Sequence, residues 1–210
     1  MRPAPIPPWR TADFWEALAD RLRRLRAAGF GSLMTEDTVR FAAIEALAAA
    51  GADVSGMRVE WPHPRIGGSR LDLVLGGTPP QAVFGFTFPK EPNAKYAAWT
   101  MTLGEILKDF SRLARVPGDL QRLLVYVESD TLHKYMAGAG RRYGMVLDRS
   151  EITLTAAAAR ELPGTAARIV GAGLAAHPVT AQRIYVTEVD TSLRLAVYDV
   201  EAVDIDLTTG

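Results

Sequence analysis

Apolar residues recur at helical spacing over the first fifty positions and then give way to short continuous runs. Phe14, Leu18, Leu22 and Leu25 mark one face of a helix that Thr11 can cap and Gly29 can stop. Thr35 opens a second helix. Glu36 and Asp37 fall in its first turn, where the helix dipole favours acids. Val39, Ile44 and Leu47 form its apolar side and Gly51 ends it. Arg58–Trp61 reads as a strand, followed by a turn through Pro62–Gly68. Ser69–Leu75 and Gln81–Lys90 then read as two short buried strands joined by a tight Gly/Pro turn.

A polar linker from Glu91 to Lys95 leads to a long helix near 97–115, whose buried face holds Leu103, Ile106, Leu107, Phe110 and Leu113. Leu123–Val127 is apolar throughout, as in a central strand. Asp130–Ala139 is helix-like, Gly138–Gly144 a Gly/Arg loop, and Thr155–Glu161 another helix start. Arg168–Ala176 is ambiguous. Arg183–Val189 and Leu193–Val200 form a closing hairpin around Asp190-Thr191-Ser192, and the chain frays from Leu207. The order predicts an α/β fold, a central mixed β-sheet flanked by helices. Residues 1–10 read as a flexible proline-rich arm and 11–206 as a single α/β domain.

Composition narrows the classes. With 48% apolar residues among 210, the chain can bury a real core. Lys plus Arg equals Asp plus Glu, at 24 each, so there is no global field for nucleic acid and any such binding needs a local patch. The absence of cysteine excludes disulfides, thiolate metal sites and a Cys nucleophile. No apolar run is long enough to span a bilayer, and the N-terminus is too rich in proline for a signal-peptide core, so a soluble cytoplasmic protein is expected. Arg21, Arg23, Arg24 and Arg26 lie largely off the apolar face of the first helix. They read as solvated surface, as partners of nearby acids or as phosphate contacts.

The charged residues add a pattern. An acid, Glu36, opens an early helix. Another, Asp72, lies in the first strand of a hairpin, a second strand follows about a dozen residues later, and a helix and another buried strand come next. This order, with the stretch Leu103–Ala114, resembles the PD-(D/E)xK nuclease superfamily and its restriction-endonuclease-like fold. The resemblance runs from about Glu36 to Val127. It implies carboxylates that hold Mg²⁺, which activates water and steadies charge on phosphate. It also implies a lysine two residues after the second acid, on the same strand face. Asp72 matches the metal-binding aspartate and Glu36 the helix acid. On the second strand, Gly85 stands in the acid's place and Thr87 in the lysine's, and neither can do that chemistry. Lys90 could swing back towards the site, and Glu91 or Glu105 could supply the missing carboxylate. Asp72 can equally be a strand-end acid paired with Arg70 or Arg65, and Lys90 and Lys95 plain surface.

Three functional readings follow. The first is a nuclease-like domain without catalysis, serving as a binding or scaffold protein and needing no cofactor. It leans towards a protein partner or self-association, and Phe84, Phe86 and Phe88 make its old pocket apolar. Nucleic acid is the other candidate partner, through Arg141, Arg142, Lys90 and Lys95. The second is a Mg²⁺-dependent nuclease using Asp72 and Lys90, with Glu36 and Glu91 as further metal ligands. The third is an accessory subunit docking through its N-terminal arm and first helix. His63, His133 and His177 fit no metal-like spacing, and Gly171-Ala172-Gly173 matches a dinucleotide loop only weakly.

Overall fold

The computed structural model describes residues 6–89, 96–143, 146–162, 164, 166–168, 170 and 177–203. Helices α1 (Ala12–Ala27), α2 (Glu36–Ala49), α3 (Tyr96–Ala114), α4 (Asp130–Tyr143) and α5 (Ala156–Arg160) flank one seven-stranded sheet. The strands are β1 (Arg58–Pro62), β2 (Arg70–Leu75), β3 (Ala82–Thr87), β4 (Gln121–Ser129), β5 (Glu151–Leu154), β6 (Val179–Glu188) and β7 (Leu193–Val200), in the order β1-β2-β3-β4-β7-β6-β5. The first three form an antiparallel meander, β4 runs parallel to β3, and the remaining pairs are antiparallel. Parallel neighbours need a crossover, and α3 supplies it between β3 and β4. The expected mixed sheet flanked by helices is therefore present.

The sheet divides two cores. On one face Trp15, Leu18, Leu22 and Leu47 of α1 and α2 pack with Phe84, Phe86, Leu123 and Val125. On the other, Leu103, Ile106, Phe110 and Leu113 of α3 pack with Val83, Leu124, Tyr126 and Tyr198. β3 is buried at every position, as an apolar strand covered on both faces should be. Among the described residues, no helix is long and apolar enough to cross a membrane.

Local structure departs from the sequence reading in three places. Residues 6–10 do not stand free as an arm. Trp9 sits in a 3₁₀ turn, is only 5% exposed and meets Phe84 edge-on at 6.4 Å, while Arg10 Nε donates to Gln121 at 3.0 Å. Residues 1–5 lie outside the description. Gly138–Tyr143 is not a loop but the end of α4, because Ala139 and Tyr143 extend the apolar face of that helix into the core. β5 had no expected counterpart; only Ile152 and Leu154 of its four residues are buried, too short a pattern to register. Two arginines of α1 follow the expected pairing with acids: Arg23 joins Glu16, Asp20 and the Glu188 carbonyl, and Arg26 holds Asp190 at 2.6 Å.

Candidate functional site

The β1-β2-β3 meander builds the site. Leu73 pairs with Phe84, so the register sets Asp72 opposite Gly85. Leu73 also pairs with Val59 on the other side, which sets Asp72 opposite Glu60. Asp72, Gly85 and Thr87 thus share the face covered by α3, since strand side chains alternate. Asp72 is 4% exposed, and its Oδ2 accepts the Phe86 N–H at 2.7 Å.

The cation beside Asp72 comes from α3, not from β3 and not from Arg65 or Arg70. Arg112 Nη2 lies 3.2 Å from both Asp72 carboxylate oxygens, and Nη1 donates to the Arg70 carbonyl at 3.0 Å. One turn back on α3, Asp109 Oδ1 is 3.3 Å from the same guanidinium, and its Oδ2 accepts the Thr87 hydroxyl at 2.8 Å. Arg112 therefore ties β2, β3 and α3 through one planar group, and Thr87 reaches Arg112 through Asp109. A second guanidinium stands nearby: Arg40 of α2 pairs with Asp37 and Glu60. Glu60 takes a positive φ of 53°, a strained conformation for such a side chain.

These acids shift upward. Burial pushes Asp72 above its ordinary value, against the pull of Arg112 and the Phe86 amide. Burial likewise raises Asp109 to about 6, opposed by Arg112 and Thr87. Glu36 is exposed as a residue, yet desolvation of its carboxyl, joined by repulsion from Asp72 and Asp109, pushes it up to about 7. It lines a cleft of about 420 Å³ with Phe88, Ile106, Asp109 and Arg112. Glu105 lines the same cleft but is paired with Lys108.

Of the residues expected at the site, the structure gathers Glu36, Asp72 and Thr87. The place of Gly85 is closed: a Cβ there would lie 3.1 Å from Leu113 Cδ1 and 3.3 Å from Leu124 Cδ1. Phe84 and Phe86 do not fill the site; they face α1 and α2 on the opposite side of the sheet, and only Phe88 lines the cleft. Lys90, Glu91 and Lys95 lie outside the described residues. Arg141 and Arg142 are in the last turn of α4, outside the lining of this cleft. Sequence reasoning missed Asp109 and Arg112. The signal was an acid inside an apolar stripe, with Asp109 at helical spacing between Ile106 and Leu113 and a base three residues on.

No family model, no curated protein and no solved structure matches the chain.

Proposed function

We propose that this chain is a cytoplasmic, nuclease-like domain of the restriction-endonuclease-like class that has given up cleavage and works by binding. The element order supports it: a helix bearing Glu36, a three-strand meander bearing Asp72, a crossover helix and a parallel strand. The observation that carries the reading is Arg112 on Asp72. One guanidinium nitrogen, Nη2, sits against both oxygens that a divalent cation would need.

Among the described residues, the donor set does not fit magnesium. Mg²⁺ needs near-octahedral oxygen ligands and is repelled where a cation already sits on them. Both Asp72 oxygens face Arg112, one also accepts the Phe86 amide, and the Asp109 oxygens face Arg112 and Thr87. Among the described residues, no three His, Asp or Glu groups come together as a cation shell. No lysine lies on β3, and Gly85 leaves no room for an acid.

Docking through the N-terminal segment has less support, since Trp9, Trp15, Leu18 and Leu22 are buried in this chain's own core. The test is incubation of purified protein with DNA and RNA, with and without Mg²⁺ or Mn²⁺. No cleavage is expected. Cleavage that disappears in Asp72→Ala overturns the reading in favour of a divergent nuclease.

A further inference from the structure

The β1–β2 loop and the C-terminal half of α3 line a second cleft of about 640 Å³, which shares Lys108 and Arg112 with the first. Arg70, Lys108, Arg112 and Arg115 line it, and among the described residues no acid does. A zero net charge therefore conceals a local concentration of cations.

His63 shapes the loop. It is 6% exposed, its Nδ1 accepts the amides of Arg65 and Ile66 at 3.0 Å each, and its Nε2 lies 2.9 Å from the Arg112 carbonyl. A ring that accepts at Nδ1 and donates at Nε2 is neutral. Burial lowers its pKa, and so do the guanidiniums of Arg112, Arg115 and Arg65, which stand close enough to repel an imidazolium. The loop then presents Gly67 and Gly68 at the cleft. Neither amide donates within the loop, and nothing lies within 4 Å of where either would carry a Cβ. Gly68 has a φ of +73°, which glycine adopts without strain.

The four cations are not equally engaged. Lys108 is paired with Glu105, and Arg112 with Asp72 and Asp109. Arg70 donates only to the Glu60 carbonyl, at 3.4 Å. Arg115, half-buried, makes no hydrogen bond or ion pair among the described residues, and burial alone lowers its pKa. Its place just past the end of α3 suits the helix dipole but gives its N–H groups no acceptor. A half-buried guanidinium without a counter-ion, sharing a cleft with glycine amides that make no bond in their loop, leaves a place for an anion.

We propose that this cleft binds an oxyanion of the phosphate class, seated on the Arg115 and Arg70 guanidiniums and the Gly67–Gly68 amides. The inference rests on the binding reading above and gives it a ligand chemistry. Guanidinium forks match the planar edges of phosphate oxygens. Both a nucleic-acid backbone and free phosphate offer that group.

Two probes separate the sources: a short fluorescein-labelled duplex DNA followed by anisotropy across a salt series, and inorganic phosphate followed by thermal stabilisation. For a backbone ligand, DNA binds, Arg115→Gln weakens binding about tenfold, and the slope of log affinity against log salt falls by about 1. Arg115→Lys recovers part of the affinity. For a free-anion ligand, phosphate raises the melting temperature of the wild type but not of Arg115→Gln, and DNA does not bind. Neither response, or binding that Arg115→Gln and Arg70→Gln both leave unchanged, overturns the proposal. Circular dichroism of each variant establishes that it is folded. Gels of the same DNA samples with Mg²⁺ read the parent hypothesis separately, because cleavage there contradicts the loss of catalysis and not the anion site.

Discussion

Arg112 satisfies two buried acids at once, so its removal leaves Asp72 and Asp109 facing each other without a cation. Breaking a buried pair from one side costs about 3 kcal/mol. Arg112→Ala is expected to lose about that much in urea unfolding, and the Asp72→Asn/Arg112→Met double variant less than the sum of its two single changes. Asp109 makes a separate prediction. Its folded pKa of about 6 lies above the ordinary 3.8, so the folded state holds a proton that the unfolded chain has released. Stability from this group is present below about pH 4 and is lost as pH rises through about 6. Melting temperature should fall over that window by the equivalent of up to roughly 3 kcal/mol, and Asp109→Asn should flatten the slope. A slope unchanged in Asp109→Asn would contradict the assignment. Asp72 was legible from the sequence as an acid between apolar neighbours. Its partner was not, because Arg112 is distant in sequence and meets it only once α3 crosses the sheet.

At the scale of elements, β3 and α3 approach closely because Gly85 has no side chain. Gly85→Ala brings a methyl against Leu113 and Leu124 and is expected to cost about 1–3 kcal/mol. Gly85→Glu, which puts an acid where the proposed nuclease-like reading would want one, should destabilise more and confer no cleavage; denaturation and the nuclease assay check both. The helices and central strands could be read from periodicity, since α1, α3 and β4 carry unbroken apolar patterns. The N-terminal segment could not. Proline content suggested an arm, but Trp9 docks edge-on against Phe84, a tertiary contact that composition does not encode. Trp9→Ala should therefore cost about 3–5 kcal/mol in chemical denaturation, whereas a free arm would tolerate it without loss.

For the whole molecule, the sheet separates two cores and brings two charged clefts together at its β1–β3 end. One cleft there carries Glu36, Asp109 and Arg112, and the charged residues described at the other are all cations. Balanced composition hid this arrangement, because equal numbers of acids and bases say nothing of where they lie. The account depends on a guanidinium standing where a divalent cation would. Titration of the protein with Mn²⁺, followed by the electron paramagnetic resonance signal of the free ion, tests that most directly. The signal should be undiminished by wild-type protein; stoichiometric binding that vanishes in Asp72→Asn would contradict it.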